Sequence, residues 1–368
     1  MPRRGDSHGQ IEYLRNLVHK PNATLLPVPE SQPIVTPLTA AAMFLVLTVN
    51  PGGEETTRGL LADLPGLERA VGFRIPGDLS CVAAVGSAAW GRLFSGPRPA
   101  ALHPFRALSG PRHQAPATPG DLLFHLRASR MDLCFELATQ IMDRLAGAVT
   151  VADEVHGFKY FDERDLLGFV DGTESPGGSA GIRAAIVGEE DPGFAGGSYV
   201  IVQKYLHDMG SWNALPVEEQ ERVVGRTKLA DIELPGEVQP ANSHVALNQV
   251  TGPDGEELQI VRANMPFGDV GRGEFGTYYI AYAADPAVTE EMLVNMFIGR
   301  RRGPAERIAA SRDPAGAATR RCVLPLATMT AARMCDILGG ESPASGQGRR
   351  DGRQRNRRRG CLDEASEP

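Results

Sequence analysis

Two oppositely charged side chains in glycine-rich or polar surroundings are the best candidates for chemistry in this chain. Asp171 lies in the sequence LLGFVDGTESP, between Gly168 and Gly172, and Arg262 lies in VRANMPFG. Glycine permits backbone angles that other residues resist, so such a turn can present the Asp171 carboxylate to a bound group and tune its proton affinity by burial. A positioned carboxylate can carry protons, and a fixed guanidinium can stabilise developing negative charge. The plainer alternative is a structural salt bridge between a turn and a strand.

His244, in the sequence ANSHVALN, could bind a metal. Neutral imidazole is a common metal ligand, and an acceptor at its other ring nitrogen fixes the tautomer and raises its basicity. Considered alone, a histidine between Ser243 and Val245 is more typical of an ordinary core or surface imidazole. His207, which follows a predicted strand, is the second candidate.

Together the three sequences resemble those that carry the distal acid, the distal arginine and the proximal histidine of dye-decolourising haem peroxidases. The likeness extends from about Val28 to Gly299 and is strongest for the bacterial B-type subgroup. It implies a haem b peroxidase that reduces hydrogen peroxide through a ferryl intermediate and oxidises phenolic, dye-like or similar small-molecule donors. The chain has no CxxCH sequence, so the haem would be bound non-covalently.

The resemblance also implies roles for individual residues. His244 would be the axial iron ligand, Asp171 would carry the protons of peroxide cleavage, and Arg262 would stabilise charge on the departing oxygen. Asn264, two positions further along an extended strand, would project to the same side and orient peroxide or a bridging water. Arg226, in GRTK, would grip a haem propionate, unless it is a solvated arginine at a helix end. The remaining predicted cofactor contacts are Gly172, Thr173 and Glu174.

An acidic partner for the proximal histidine is the least regular part of the resemblance. In the family, an acid after the sequence FIG accepts the hydrogen bond from the imidazole. Here Gly299 ends that sequence and Glu306 follows at about the right distance, where the family usually has Asp. Glu306 is therefore the predicted partner, and a surface glutamate on a helix is the alternative.

Two further sets of residues are candidates for accessory roles. Glu233 and Glu257 lie near the motifs and supply the hard oxygen ligands that a cation such as Mn²⁺ prefers, although scattered glutamates are usually only solvated. Oxidation of bulky dyes at the surface would need an aromatic relay, for which Trp212, Tyr199 and Tyr205 are available.

The first half of the chain predicts an α+β unit with the element order βαββαβ. Its helix from 131 to 145 is amphipathic, because its apolar residues recur at helical spacing on one side. The predicted elements are strands 42–49, 81–85, 122–127 and 149–155 and helices 54–71 and 131–145.

The second half repeats that order without obvious sequence identity. Its predicted elements are strands 199–205, 258–262, 277–282 and 321–326 and helices 216–225 and 289–297. Two such units make a pair of ferredoxin-like domains, in a dimeric α+β barrel-like arrangement with antiparallel sheets and helices on the outer faces. The linkers 95–120 and 177–197 are rich in Pro and Gly and are predicted to be long surface loops.

Four segments follow from these elements and from composition. Residues 1–27 lack a steady period and are predicted to be a flexible arm, and residues 28–160 form the N-terminal ferredoxin-like domain. Residues 161–330 form the C-terminal, haem-binding domain. The remainder, 331–368, has almost no apolar residues after Gly339 and is predicted to be disordered.

The composition limits the classes of binding partner and the cellular compartment that we expect for this chain. The formal net charge of −7 in 368 residues argues against general nucleic-acid binding, although seven arginines crowd between Arg349 and Arg359. No apolar run is long enough to span a bilayer, and five cysteines without a CxxC pair fit a reducing cytoplasm. A homo-oligomer and an encapsulin shell both stay open as partners, but the C-terminal GCLDEASEP does not resemble a shell-targeting peptide.

Two other classes of function compete with the peroxidase. One is a haem-binding or haem-processing protein that releases iron or buffers haem in the same pocket. The other is a non-enzymatic ferredoxin-like dimer that senses a small ligand. Rapid reaction with stoichiometric peroxide would distinguish the enzyme from the first, and absence of a Soret band after haem supply would favour the second.

Overall fold

The N-terminal half forms a four-stranded antiparallel sheet with its helices on one face. The strands pair in the order β4-β1-β3-β2, which is the ferredoxin-like order for a βαββαβ unit. The computed structural model describes residues 31–111 and 113–300, and residues 318–328 as a backbone strand. The N-terminal elements are β1 (Ala41–Val49), α1 (Glu54–Val71), β2 (Ser80–Gly86), α2 (Ser87–Leu93), β3 (Leu122–Ala128), α3 (Met131–Arg144) and β4 (Val149–Phe158).

The C-terminal half has the same strand order, with β9-β5-β8 followed by β6 and β7, which both pair with β8. Its elements are α4 (Gly178–Ala185), β5 (Ser198–Leu206), α5 (Met209–Asn213), α6 (Val217–Val224), α7 (His244–Asn248), β6 (Val261–Arg262), β7 (Met265–Asp269), β8 (Glu274–Ala283), α8 (Pro286–Phe297) and β9 (Ala318–Thr328).

Short elements connect these strands and helices. Single 3₁₀ turns span Gly72–Arg74, Phe161–Glu163, Pro192–Phe194 and Val270–Arg272. Leu108–Ser109 pairs with Gln114–Ala115, Val250–Thr251 pairs with Glu257–Leu258, and Ala117–Thr118 runs parallel to β9.

The two halves share one interior core. Strand β1 is apolar except for Thr48 and is buried on both faces. One face packs against the apolar stripe of α3, which includes the predicted Cys134, Leu137 and Ile141. The other face turns inward, where Phe44 packs in the same cluster as residues of the C-terminal sheet such as Tyr278. The result is the predicted barrel-like α+β fold, with helices outside.

Two contacts join the halves around that core. Strand β9 pairs with β5 on one side and with the last residues of β2 on the other, so both sheets form one continuous sheet. At the far ends, Gly157 on β4 lies against β7, where an added Cβ would stand 2.6 Å from the Cβ of Met265. Only glycine allows the strands to approach so closely there.

A buried hydrogen bond also crosses between the halves. The ring nitrogen Nδ1 of His125 lies 2.7 Å from the hydroxyl of Tyr282, and both side chains are fully buried. Burial holds the pKa of His125 well below its usual value, so the imidazole is neutral and its stacking on Phe44, with ring centroids 4.6 Å apart, involves no buried charge.

Three sequence predictions of elements need correction. The predicted strand 258–262 is two strands, Glu257–Leu258 and Val261–Arg262, in different sheets. Strand β7 was not predicted. It contains Pro266, which has no amide N–H to donate and is tolerated because β7 pairs only with β8 among the described strands. Neither predicted linker is simply a surface loop: 177–197 contains α4 and the buried Phe194, and 95–120 contains the buried Leu102, Phe105 and Ala115.

The division into domains at residues 160 and 161 stays a proposal, because the halves share a core and a continuous sheet. The predicted arm, residues 1–27, and the predicted tail, residues 331–368, lie outside the described residues.

We expect Tyr282→Phe to destabilise the fold by about 1–3 kcal/mol, because it leaves His125 Nδ1 buried without its partner. The measurement is the free energy of unfolding in denaturant. Tyr160→Phe is the matched control, since the Tyr160 hydroxyl makes no hydrogen bond to the described residues and its loss should change stability by less than about 0.5 kcal/mol. Equal effects of the two changes would contradict a stabilising bond between the halves.

Candidate active site

A large cavity lies on the outer face of the C-terminal sheet. Its walls are strand residues of β5, β6 and β8, the helices α7 and α8, and the loop around Asp171. Every described residue of the lining lies between 165 and 297, except His113 from the linker of the first half. The predicted iron ligand His244 and the predicted distal residues Asp171, Arg262 and Asn264 all line it.

Strand alternation sends the key side chains into this cavity. Val261 and Ala263 belong to the interior core, so Arg262 and Asn264 project to the opposite face, as the sequence predicts. The Asn264 amide donates to Asp171 Oδ1 at 3.3 Å, and its oxygen accepts from the backbone N–H of Ile280 at 3.2 Å. Asn264 therefore fixes the Asp171 carboxylate relative to the sheet.

The loop that carries Asp171 is shaped by glycine and held by arginine. Gly168 and Gly172 have φ values of 91° and 82°, a region that disfavours other residues. The Arg164 guanidinium donates to the carbonyls of Gly168 at 2.9 Å and Lys228 at 2.6 Å. It thereby ties the Asp171 loop to the segment that follows α6. The Asp171 amide itself donates to the backbone oxygen of residue 163 at 2.9 Å.

The backbone of Arg262 is held by Ser175, and its guanidinium has no acid partner among the described residues. Its amide donates to Ser175 Oγ at 3.0 Å, and that hydroxyl lies 3.4 Å from the Arg262 carbonyl. The Nε atom is buried without a hydrogen-bond partner among the described residues, and Arg262 takes part in none of their ion pairs. The alternative of a structural salt bridge to Asp171 is therefore not what the structure shows.

His244 is the first residue of α7. The Ser243 side chain caps this helix by accepting from the Ala246 amide at 3.3 Å. The Arg300 side chain donates to the Ala246 carbonyl at 3.1 Å. His244 Nε2 lies 3.4 Å from the Asn248 amide nitrogen, and the residue is exposed where it lines the cavity. The predicted acidic partner, Glu306, lies outside the described residues.

Arg226 lies at the same cavity, but its guanidinium already has partners. It forms ion pairs with Glu174 and with Asp231, the latter at 2.9 Å, and it donates to the Asp231 carbonyl at 2.8 Å. Thr173 Oγ1 donates to the other Asp231 oxygen at 2.9 Å. One network thus joins three of the predicted cofactor contacts, Arg226, Thr173 and Glu174, through Asp231. Sequence reasoning missed Asp231.

The cavity has the side chains that haem would need. An imidazole, a guanidinium with an unpartnered buried nitrogen and a carboxylate all reach one space that is otherwise lined by apolar groups such as Leu258, Ile260 and Phe297. This is the donor set expected of a pocket for a flat apolar group that binds through a metal.

The two glutamates that are candidates for a cation site reach the same cavity but do not form a metal-binding cluster with the other described residues. Glu233 and Glu257 both line the cavity, but the described residues contain no group of three or more His, Cys, Asp or Glu placed to hold a metal ion. Glu233 instead accepts from the side-chain amides of Gln239 and Gln249.

Of the aromatic candidates for a relay, only Tyr205 reaches the cavity. It forms an edge contact with Tyr279, whose ring centroid is 6.2 Å away. Trp212 and Tyr199 are buried, so neither is placed at the surface. His207, the second candidate iron ligand, also lines the cavity, with Nε2 2.9 Å from Thr277 Oγ1.

One further carboxylate in the lining, Asp165, was missed by sequence reasoning. Burial, with a contribution from the negative charge of Asp171, raises the pKa of Asp165 to about 7. The available signal was the spacing: Asp165 and Asp171 flank Gly168 on one short loop, which brings two acids to the same wall.

Family models match almost the whole described chain. The model for the N-terminal part of Dyp-type peroxidases matches residues 31–159, and the model for their C-terminal part matches residues 162–320. The chain is 62% identical over 278 residues to a dye-decolorizing peroxidase of Rhodococcus erythropolis, covering 75% of this chain and 82% of the relative. It is 60% identical over 284 residues to one of Mycobacterium tuberculosis, covering 77% and 85%.

Solved structures agree with the sequence relatives. The encapsulated DyP-type peroxidase of Mycobacterium smegmatis is 57% identical, with a TM-score of 0.79 over 84% of this chain and 98% of that one. A haem-bound variant of DypB from Rhodococcus jostii RHA1 is 50% identical, with a TM-score of 0.78 over 83% and 97%. A DypB variant in complex with manganese is also 50% identical, with a TM-score of 0.79 over 83% and 98%.

We expect Arg164→Lys to loosen the Asp171 loop, because an ammonium cannot reproduce the fork that bridges the carbonyls of Gly168 and Lys228. The predicted loss of stability is about 1–3 kcal/mol, with faster hydrogen exchange at the amides of residues 168–172. Arg144→Lys is the control, because Arg144 pairs with Asp63 in an exposed ion pair worth less than about 1 kcal/mol. Unchanged exchange in Arg164→Lys would refute the clamp.

Proposed function

The chain belongs to the Dyp-type peroxidase family and is a haem-dependent peroxidase of the dye-decolourising type, and from that premise we propose which of its residues bind the haem and which act on hydrogen peroxide. The single observation that supports the assignment is the buried, unpartnered Nε of Arg262, beside the Asn264–Asp171 contact in a cavity that His244 also lines. A positive group kept free of acids in a largely apolar space is suited to an anionic or charge-developing substrate.

His244 would hold the haem through its iron, and the apolar walls of the cavity would cover the macrocycle. Bound haem b supplies the redox-active iron at which the peroxide O–O bond is cleaved. Position 1 of α7 and the Ser243 cap fix the backbone of His244, which limits the directions available to the imidazole. The haem would then be carried mostly by the C-terminal half, which supplies all of the described lining except His113.

Asp171 and Arg262 would divide the work on peroxide. Asp171 would take the proton from one peroxide oxygen and return it to the other, so that the departing oxygen leaves as water. Arg262 would stabilise the negative charge that develops on that oxygen. The Asn264 amide donates to Asp171 at 3.3 Å and so fixes the carboxylate relative to the strand segment that carries Arg262.

Arg226 would act at a haem propionate through a rearrangement of its acid partners. Its guanidinium is buried and is shared between Glu174 and Asp231. Glu174 is the more exposed of the two acids, with a side-chain exposure of 55% against 20% for Asp231. A propionate would therefore replace Glu174 at lower cost, because Asp231 remains to orient the guanidinium.

A manganese site and packaging in a shell are supported by relatives alone. One DypB structure contains manganese, and Glu233 and Glu257 of this chain line the cavity. One relative is an encapsulated peroxidase. The reducing substrate would be a small phenolic or dye-like donor, and homo-oligomerisation belongs with these proposals. Among the described residues, no helix has the length and apolar character needed to cross a membrane.

We expect His244→Ala to lose stable haem binding or to change the spin state of the bound iron, because the axial imidazole is gone. The measurement is the absorption spectrum of protein reconstituted with haem. His207→Ala tests the second candidate ligand and should retain the wild-type spectrum, as should the exposed His156→Ala. Full haem loading with an unchanged spectrum in His244→Ala would remove this residue from the site.

We expect Arg262→Leu to slow the reaction with peroxide by roughly a hundredfold or more, which corresponds to about 3 kcal/mol of lost charge stabilisation. Asp171→Ala should slow it by about 10²–10⁴-fold and change its pH dependence, although water can partly substitute. Stopped-flow absorption of the haem-loaded variants against pH provides both numbers.

The control for the arginine is Arg272→Leu, which removes an exposed guanidinium paired with Asp269 far from the lining residues. It should react as wild type does. If Arg262→Leu keeps its haem and also reacts at the wild-type rate, the assignment of the peroxide pocket is wrong.

A further inference from the structure

The last residue of α7, Asn248, lies one helical turn after the proposed iron ligand His244, on the wall of the same cavity. Residues four apart on a helix are neighbours on its surface. The two side chains therefore meet in the cavity wall. Asn248 has no part in the proposed reaction with peroxide, so its contacts call for another explanation.

Three acceptors surround the side-chain amide nitrogen of Asn248. Its Nδ2 atom lies 2.7 Å from the His244 carbonyl oxygen, 3.4 Å from Met296 Sδ and 3.4 Å from His244 Nε2. A carbonyl oxygen and a thioether sulfur accept hydrogen bonds and cannot donate them. The nitrogen of the amide, and not its oxygen, must therefore face these groups, which fixes the orientation of the amide.

The orientation of the Asn248 amide determines which tautomer of His244 it favours. One amide hydrogen is used by the His244 carbonyl. The other has Met296 Sδ and His244 Nε2 as its acceptors, and sulfur is the weaker of the two. A donor beside Nε2 favours a lone pair on that nitrogen, which places the imidazole proton on Nδ1.

Metal binding through Nε2 requires this same tautomer. The nitrogen binds a metal through its lone pair, while the Nδ1–H group donates to a second partner. An acceptor at Nδ1, the place predicted for Glu306, would favour the same tautomer. At 3.4 Å the contact from Asn248 to Nε2 is longer than a strong hydrogen bond. The amide also has two other acceptors when Nε2 gives its lone pair to a metal.

Contacts at both ends of α7 fix the position of the Asn248 amide. The Ser243 side chain caps the start of the helix, and the Arg300 side chain donates to the Ala246 carbonyl at 3.1 Å. At the other end, the contact to Met296 joins Asn248 to α8. The amide thus has a defined position from which to act on the exposed imidazole.

Resting on the proposed assignment of His244 as the iron ligand, we propose that Asn248 is a positioning residue that keeps the His244 proton on Nδ1 and the lone pair on Nε2. Met296 supports it by accepting from the same amide. A neutral hydrogen bond of this kind should change the ratio of the two tautomers by roughly two- to tenfold. Its loss should weaken haem binding, because the proton would first have to leave Nε2.

The direct test measures the tautomer of His244 in the full-length protein before haem is added. The histidines are labelled with ¹⁵N, and long-range ¹H–¹⁵N spectra are recorded at about pH 8, well above the usual imidazole pKa of about 6.5. His244→Ala identifies the His244 signals by their absence. Wild type should carry the proton on Nδ1, and Asn248→Ala should shift the tautomer ratio roughly two- to tenfold toward Nε2–H.

Asn248→Ser separates the imidazole contact from the bond that closes α7. A serine hydroxyl can donate to the carbonyl four residues earlier, as the Asn248 amide does to His244, but it is too short to replace the amide at Nε2. Asn248→Ser should therefore shift the tautomer as Asn248→Ala does. Gln140→Ala is the matched control, since it removes an amide that bonds Glu136 four residues back, at 2.8 Å, on α3 and outside the cavity lining.

The second readout is the rate at which haem leaves the loaded protein, followed by absorption as an excess of apomyoglobin takes it up. Groups that orient a metal-binding histidine typically change metal affinity by about 10–100-fold. Asn248→Ala and Asn248→Ser should therefore release haem about 10–100-fold faster than wild type, and Gln140→Ala should release it at the wild-type rate.

Two results would overturn the role of Asn248. One is a wild-type protein with the His244 proton on Nε2. The other is an Asn248→Ser variant with the wild-type tautomer ratio and haem release, which would reduce the amide to a bond that closes α7. Should Asn248→Ala fail to fold, the wild-type spectrum and Asn248→Ser decide the question.

Failure of the haem assignment is distinguishable from failure of this inference. If His244→Ala loses its haem and the Asn248 variants shift the tautomer and release haem faster, both proposals are supported. If His244→Ala loses its haem but the Asn248 variants behave as wild type, only the role of Asn248 is contradicted. An unchanged haem spectrum in His244→Ala contradicts the ligand assignment, and the role of Asn248 in haem binding fails with it.

Discussion

The alternation of side chains along β6 and the residues that follow it is the constraint on which the site depends. Val261 and Ala263 must face the interior core that both halves share, because no other surface of the barrel can bury them. Arg262 and Asn264 must then face outward. A register slip of one residue would place a guanidinium in the core and two apolar side chains in the cavity. The same alternation of side chains therefore determines both the packing of the barrel and the position of the proposed catalytic groups.

Positive charge in the cavity is distributed unevenly between the two arginines that line it. Arg226 is neutralised by Glu174 and Asp231, which suits a positioning role at the rim. Arg262 has only backbone support and an unpartnered Nε, which leaves its positive charge available inside the pocket. Leaving a buried donor unpaired costs about 1–3 kcal/mol, and such costs are concentrated where function needs a group to be ready for a ligand.

Much of the fold was predictable from sequence because its elements are long and regular. The α3 stripe and the apolar run of β1 each define an element through local periodicity alone. Short motifs in the sequence identify Asp171, Arg262 and His244 as site residues, and the structure brings all three to one cavity. The tertiary partners of the site residues were not predictable. No local pattern reveals that Asp231 pairs with Arg226 or that burial raises the pKa of Asp165. Strand β7, which contains Pro266, was not predicted, since its pairing with β8 exists only in the folded sheet.

The position of β9 between the two halves has a consequence for the order of events during synthesis. The edge of the first sheet, at β2, is paired by a strand that lies more than two hundred residues later in the chain. While the chain emerges from the ribosome, the N-terminal unit can assemble its own four strands but leaves that edge open. The nascent protein is thus exposed to wrong edge pairing with neighbouring chains until translation passes Thr328, which places the greatest risk of aggregation late in synthesis.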